Sequence, residues 1–184
     1  MESKRINPIE LYTDGSAEPN PGAGGLGYII RYWYDDNGNI KLNECHGSKG
    51  YRKSTNNRME VMAAIVGLLD IKTRIDDGTF RDVYQINVYS DSKYLVDAIS
   101  KKWVESWMKR GWVTYNKTPV KNRDLWEQLM AIFGEYKRIS VSIQFQHVDG
   151  HSGLLWNDQV DELAVKAARN SSKHEVDEVY EKGC

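Results

Sequence analysis

The chain has 184 residues, of which 40% are hydrophobic and 28% are charged, and its formal net charge is -1. This length suits one well-buried globular domain and is short for two, and the near-neutral charge gives no global signal for a nucleic acid or an anionic membrane as partner. The two cysteines, Cys45 and Cys184, form no disulfide framework, and no apolar stretch resembles a signal peptide or a membrane span. The sequence therefore predicts a reduced, soluble, cytoplasmic protein.

Hydrophobic periodicity divides the chain into five predicted strands and four predicted helices. In chain order these are strands at 9–13, 27–34 and 40–47, a helix at 57–75, a strand at 84–89, helices at 93–99 and 122–137, a strand at 139–147 and a helix at 154–169. Residues 6–170 are expected to form the domain. Residues 171–184 are polar and weakly patterned, which predicts a loosely held, flexible tail.

The order of these elements predicts an α/β domain with a five-stranded mixed sheet of order 3-2-1-4-5, flanked by helices. The first three strands would form an antiparallel meander. A right-handed crossover through the helix at 57–75 then places the fourth strand parallel to the first, with the fifth beyond it. The C-terminal ends of strands one, three, four and five therefore share one edge, where open α/β sheets place their sites.

Four acidic residues fall at this predicted edge. Asp14 and Asp91 follow the first and fourth strands, Glu60 lies in the first turn of the helix after the third strand, and Asp161 lies on the last helix. Carboxylates that cluster raise one another's pKa, and a hard cation removes the conflict. Oxygen ligands without a nearby Cys pattern favour Mg²⁺ or Mn²⁺ over structural zinc.

Each acid also has an ordinary structural interpretation. Asn57 with Glu60 three residues later is compatible with a helix capping box, Asp91 with an N-cap, and Asp14 with an Asx-turn. Asp161 is compatible with a solvated position on a helix. The shared edge favours a metal site over four independent explanations.

Eight short segments occur in a fixed order along the chain. They read YTDGS, NPGAGGLGYIIRY, TNNRMEVMAAI, YSDSKYLVDAI, KRGW, PVKNRDLW, HVDGHSG and NDQVDELA. Together they resemble type 1 ribonuclease H in its bacterial single-domain form, over residues 9–168. The resemblance implies an endonuclease that cuts the RNA strand of an RNA–DNA hybrid and leaves 5′-phosphate and 3′-hydroxyl ends, serving primer removal during DNA replication and R-loop clearance.

The resemblance also implies a catalytic set. The family's metal-holding acids fall on Asp14, Glu60, Asp91 and Asp161, with Mg²⁺ as the metal, Mn²⁺ as a substitute and two ions in the substrate complex. The family's loop histidine falls on His151, in a glycine-flanked segment, where it would help to move protons without being indispensable. A polar residue in a flexible loop is the alternative interpretation of that histidine.

Contacts with the hybrid are implied at two places. Asparagines around residues 20 and 55–57 suit the minor groove because an amide both donates and accepts, as a 2′-hydroxyl does. Residues 101–123 carry seven Lys or Arg and one acid, interleaved with tryptophans, which matches the family's basic handle. The expected substrate-binding residues are Asn20, Thr55, Asn56, Asn57, Lys93, Trp103, Trp107, Lys109, Arg110 and Trp112.

Two details leave alternatives open within this set. The tryptophans of the handle are also compatible with packing against the body of the protein, so that only the cations meet the substrate, and we favour this division. Lys93 stands where the family commonly has Gln, and it suits a phosphate contact or a lowered pKa of nearby carboxylates.

Two other functions are compatible with parts of the pattern. One is a ribonuclease H-like nuclease with a different substrate, against which the TNNRME segment and the basic handle argue. The other is a non-catalytic hybrid-binding module, against which the presence of all four acids argues. The expected partner is an RNA–DNA hybrid, with no membrane, and the expected state is a monomer.

Overall fold

The computed structural model describes residues 8–36, 38–150 and 155–183. The strands are β1 (Ile9–Ala17), β2 (Gly22–Asp36), β3 (Asn39–Ser54), β4 (Gln85–Ser90), β5 (Ser142–His147) and β6 (His174–Glu175). The helices are α1 (Asn56–Asp76), α2 (Lys93–Ser100), α3 (Trp103–Lys109), α4 (Arg123–Arg138), α5 (Leu155–Arg169) and α6 (Glu178–Lys182). Within these ranges no helix combines the length and the apolar character needed to cross a membrane.

The strands form one mixed sheet of order β5-β4-β1-β2-β3-β6. Strand β2 pairs antiparallel with β1 and β3, whereas β4 pairs parallel with β1 and β5. The predicted α/β class and the order of the first five strands are confirmed. The sheet has a sixth strand that we did not predict, because β6 is two residues long and pairs only with Gly50 and Tyr51 of β3. A strand of that length carries no periodic signal.

Helices α1 and α5 cover opposite faces of the sheet. A Cβ atom at Gly15 would lie against the backbone of α1, whereas one at Gly27, on β2, would lie against Val160 and Ala164 of α5. Successive residues of a strand point to opposite faces. Asp14 therefore shares its face with Gly27, its ladder partner, and points toward α5. The two helices can thus bring side chains to Asp14 from both sides of the sheet.

The handle, residues 101–123, is joined to the body through aromatic side chains. The ring of Trp107 packs edge-on against that of Trp126 on α4, with 5.9 Å between centroids. Trp126 is fully buried, and the hydroxyl of Tyr136 on the same helix donates to the carbonyl oxygen of Leu68 on α1 at 2.6 Å. The handle is therefore attached through α4 to the helix that leaves β3.

The ends of the elements correct three interpretations of the acids. Thr55 is the N-cap of α1, since its hydroxyl accepts from the amide of Arg58, so the capping box of Asn57 with Glu60 is wrong. Ser92 rather than Asp91 is the N-cap of α2. Asp14 lies inside β1 and not at its end, because β1 pairs with β2 as far as Ala17, so the Asx-turn is also wrong.

The C-terminal segment, residues 171–183, differs from the expected loose tail. The Arg58 guanidinium, on α1, bonds both oxygens of Asp177 at 2.7 and 3.0 Å, and Arg58 and Asp177 are buried. The same guanidinium bonds Asp124 at 2.8 and 2.9 Å, and Glu181 accepts two bonds from Arg52. Because ion pairs and not an apolar face hold this segment, its sequence shows no apolar periodicity that would have predicted its position. The domain boundary at residue 170 stays a prediction.

We expect Asp177→Ala to destabilise the protein by about 3 kcal/mol, because it leaves one side of a buried guanidinium unpaired. Urea unfolding followed by circular dichroism measures this. The control is Glu178→Ala, the neighbouring acid, whose exposed pair with Lys182 should contribute less than about 1 kcal/mol. Equal unfolding midpoints for the two variants would contradict a buried role for Asp177.

Candidate active site

The site lies where β1 and β4 separate. Their parallel pairing ends at Tyr12 and Tyr89, while β1 continues beside β2. Asp14 stands two residues past the last β1–β4 pair, and Asp91 directly follows β4. The separation opens a gap at the carboxyl edge of the sheet, and both carboxylates meet in it.

Helix α1 brings Glu60 to this gap. Its second turn lies so close to β1 that a Cβ atom at Gly15 would stand 2.2 Å from the backbone nitrogen of Glu60. Only glycine permits this approach, so the Asp-Gly sequence of β1 serves two purposes, a carboxylate and a contact surface for α1. Carboxylate oxygens of Asp14, Glu60 and Asp91 all lie within 4.8 Å of one another. We call these three residues the carboxylate trio.

Helix α5 brings Asp161 from the other face. A Cβ atom at Gly25 would stand 2.1 Å from the carbonyl oxygen of Ala164, so the backbone of α5 lies directly on β2. This close packing places Asp161 beside Asp14, where its charge and a side-chain hydrogen bond both act on Asp14. Asp161 is half-buried and meets the trio through Asp14. All four predicted acids therefore gather at one edge.

The trio is electrostatically unfavourable in the absence of a cation. Burial, followed by the charges of Asp91 and Asp161, raises the pKa of Asp14 to about 8. Burial, followed by the charges of Asp14 and Asp91, also raises the pKa of Glu60 well above its usual range. Asp14 therefore keeps its proton at neutral pH, and the pKa of Glu60 rises for the same reason, since the charged forms lack solvation and repel.

The donor set fits a hard divalent cation. Oε2 of Glu60 is buried and has no hydrogen-bond partner among the described residues. Buried polar atoms are almost always satisfied, so an atom left open beside two other carboxylates is suited to a ligand. Oxygen-only donors are those of Mg²⁺ and Mn²⁺. The trio can therefore hold a divalent metal ion.

His151 lies outside the described residues, so its role stays a prediction. The sequence interpretation missed His147, the last residue of β5, whose Nε2 atom lies 3.1 Å from the backbone oxygen of Asp91. The available signal was its position at the end of a strand parallel to β4, opposite Ser90. His147 thus contacts the backbone that carries one member of the trio.

The predicted minor-groove residues form a connected chain at the start of α1. The side-chain oxygen of Asn20 accepts from the amide of Asn56, and that of Asn56 accepts from the amide of Ala17 at 2.5 Å. Thr55 uses its hydroxyl to cap α1, and Asn57 is exposed. These bonds fix the segment beside the end of β1, three residues beyond Asp14.

The predicted handle residues divide into packed and exposed side chains. Trp112 is buried, with the guanidinium of Arg123 5.4 Å from its ring, and Trp107 packs between Trp103 and the body. Trp103 is 39% exposed. The remaining cations, Lys109 and Arg110, are exposed, as is Lys93 in the first turn of α2. Trp107 and Trp112 are packed as expected, whereas Trp103 is partly exposed, and the substrate contacts stay a prediction.

The fold and the site define a class of α/β proteins in which acidic residues gather at the carboxyl edge of a mixed sheet. Residues 7–169 match the family model for RNase H. The chain belongs to the RNase H family, and its identification as a ribonuclease H enzyme is confirmed.

Curated relatives match along almost their whole length. The ribonuclease H of Citrobacter koseri is 39% identical over 171 residues, which cover 93% of this chain and 96% of that protein. The ribonuclease H of Escherichia coli O9:H4 is 41% identical over 165 residues, covering 90% and 92%. The similarity thus includes the β-sheet, the handle and α5.

Solved structures share the fold. LC9-RNase H1, described as a type 1 RNase H with the type 2 active-site motif, has a TM-score of 0.68 at 24% identity and covers 96% of this chain and 80% of its own. LC11-RNase H1, solved in complex with an RNA/DNA hybrid, has a TM-score of 0.60 at 24% identity and covers 89% and 99%. The predicted sheet is confirmed by these neighbours.

Proposed function

We propose that this protein hydrolyses the RNA strand of RNA–DNA hybrids endonucleolytically, in a metal-dependent reaction that leaves 5′-phosphate and 3′-hydroxyl ends. The observation that carries the proposal is the carboxylate trio, whose oxygens lie within 4.8 Å of one another at the edge of the sheet. Membership of the RNase H family and the hybrid bound by LC11-RNase H1 support the choice of substrate.

Asp14, Glu60, Asp91 and Asp161 are proposed to hold Mg²⁺, with Mn²⁺ as a substitute and two ions when substrate is bound. Such ions supply activation of the attacking water and stabilisation of the negative charge that develops at the scissile phosphate. The chain's own contribution is to hold charged carboxylates in a fixed place, so Asp14, whose pKa is raised to about 8, must give up its proton on loading. His151 is proposed to carry a proton during turnover.

Substrate recognition is proposed to combine two surfaces. The exposed amide of Asn57, with Asn20 and Asn56, suits sugar and base edges in the minor groove, and Thr55 nearby suits a DNA phosphate. The exposed cations of the handle, with Lys93 near the trio, suit phosphates. We propose that the active unit is a monomer acting in the cytoplasm, on hybrids that arise during DNA replication.

We expect the double variant Lys109→Gln, Arg110→Gln to raise KM for the hybrid and to lower the slope of log KM against log salt by about 1 to 2, since each phosphate contact contributes nearly one unit. The control is Lys137→Gln, Arg138→Gln, an exposed pair of the same composition at the far end of α4. Steady-state kinetics at several salt concentrations give both slopes. If the slope of the Lys109, Arg110 double variant equals that of wild type, these two handle cations do not contact the phosphates of the hybrid.

The proposed function is tested by incubating the protein with labelled RNA–DNA hybrid, double-stranded RNA or double-stranded DNA, each with Mg²⁺, Mn²⁺ or chelator. Cleavage restricted to the hybrid, dependent on metal and internal to the RNA strand, is the expected result. Phosphatase and ligase treatment of the products identifies their ends. Cleavage of double-stranded DNA or RNA at a comparable rate would favour another ribonuclease H-like nuclease. Metal-independent binding of the hybrid without cleavage would favour a non-catalytic binding module.

A further inference from the structure

A groove of about 930 Å³ runs between the start of α1, the end of the handle with the start of α4, and the C-terminal segment. Thr55 and Asn57 line it at the start of α1, Lys121 and Arg123 at the start of α4, and Tyr180 on α6. Two of its walls thus consist of residues that the family resemblance connects with substrate. The third wall consists of residues that neither the resemblance nor the proposed mechanism uses.

The third wall is held in place by buried groups. Asp177 pairs with Arg58, and the same carboxylate accepts from the backbone amide of Tyr180 at 3.2 Å, which fixes the first turn of α6. The guanidinium of Arg58 lies 5.7 Å from the centre of the Tyr180 ring. Because Arg58 and Asp177 are both buried, the ring is presented to the groove by a rigid support and not by a free terminus.

The positive charge in the groove lies on the wall formed by the end of the handle and the start of α4. Arg58 is paired with Asp124 and Asp177, and Arg123 is paired with Glu127, which also lines the groove. Among the described residues, Lys121 is therefore the groove-lining cation that no carboxylate neutralises. A lysine on one wall, an exposed amide on another and a half-buried aromatic ring on the third match the parts of a nucleotide, since phosphate, sugar hydroxyl and apolar ring faces each find a partner.

The groove also adjoins the carboxylate trio. Asn57 precedes Glu60 by three residues on α1, which corresponds to about 4.5 Å along the helix axis. A strand whose phosphate reaches the trio therefore has its neighbouring nucleotides, or those of the opposite strand, at the mouth of the groove.

We propose that the C-terminal segment forms a wall of the substrate groove and that Tyr180 contacts the bound hybrid through its ring. This inference rests on the proposed function, because the occupant is the same RNA–DNA hybrid. It assigns a binding role to a segment whose sequence shows only polar, weakly patterned residues.

The test measures equilibrium binding of a fluorescent RNA–DNA hybrid in chelator, where no cleavage occurs, by anisotropy at physiological salt. We expect Tyr180→Ala to weaken binding about fivefold or more, in line with the loss of an aromatic contact to nucleic acid. Tyr180→Phe keeps the ring and should bind within about twofold of wild type. Val176→Ala, an exposed residue of the same segment that does not line the groove, should have no effect.

Two variants that each introduce a negative charge provide a second measurement, which does not depend on removing the Tyr180 ring. Val179 lines the groove and is 38% exposed, and Val176 is 43% exposed outside it. Val179→Glu should weaken hybrid binding more than Val176→Glu does, and the difference should shrink as salt rises, because the added carboxylate repels phosphates.

The inference is overturned if Tyr180→Ala and Val179→Glu, both folded, bind the hybrid as tightly as their controls while wild type binds and cleaves it. That outcome leaves the proposed function standing. If wild type itself neither binds nor cleaves the hybrid, the proposed function and this inference fall together.

Discussion

Asp14→Asn should reduce hydrolysis of the hybrid by about 1,000-fold or more while making the metal-free protein more stable. The loss follows because Asp14 interacts with carboxylates from both faces of the sheet, Glu60 on α1 and Asp161 on α5. Removing several kcal/mol of transition-state stabilisation from a metal site lowers the rate tenfold for each 1.4 kcal/mol or so. The gain in stability, about 2 kcal/mol near pH 7.5, follows because Asn is neutral without a proton, whereas Asp14 must bind a proton on folding that the unfolded state has lost at this pH.

Two measurements on the same sample test both halves of this expectation. Steady-state cleavage in Mg²⁺ gives the activity, and urea unfolding in chelator gives the free energy of unfolding. Asp97→Asn is the matched control, since Asp97 is a partly exposed acid on α2 that pairs with Lys101. Asp97→Asn should leave the cleavage rate nearly unchanged and should not raise the free energy of unfolding. A variant of Asp14 that is inactive and also less stable would indicate a structural defect and not the loss of a ligand.

The metal-free protein should lose stability as the pH rises from about 4 to about 8. Asp14 keeps its proton in the folded state up to a pKa of about 8, whereas its ordinary value is 3.8. Between these values the folded state binds one more proton than the unfolded state, so raising the pH favours unfolding. The slope from one such group is at most about 1.4 kcal/mol per pH unit, and it disappears above the folded pKa.

Urea unfolding at pH 5, 6, 7 and 8 in chelator measures this slope. The difference between wild type and Asp14→Asn isolates the contribution of this residue, because the other acids remain in both proteins. We expect the wild-type free energy of unfolding to fall more steeply with pH than that of the variant. Saturating Mg²⁺ should remove most of the difference in wild type, since a bound cation stabilises the charged carboxylates. Parallel pH profiles for the two proteins would contradict a buried, protonated Asp14.

Much of the site was predictable because its placement depends on local patterns. Asp14 and Asp91 lie beside adjacent parallel strands, and the order of those strands follows from element order and crossover handedness. Periodicity identified the helices that carry Glu60 and Asp161. The sequence alone therefore predicts that four acids lie at one edge of the sheet.

The conformation of each acid was not predictable in the same way. Sequence spacing favoured caps and turns for Glu60, Asp91 and Asp14, yet Thr55 and Ser92 are the caps and Asp14 lies within a strand. Capping depends on which residue has extended backbone geometry, and Thr55 and Ser92 have it. Gly15 can be recognised as the contact point between β1 and α1 only once the position of α1 is known.

The sequence by itself determined the class of fold, the order of five strands and the four acids, because periodicity and strand order are properties of local segments. Only the tertiary structure decided the burial of Glu60, the sixth strand and the position of the C-terminal segment. The pair of Arg58 with Asp177 spans 119 residues and leaves no periodic trace, since one buried contact between two charges depends on distance in space and not on spacing along the chain.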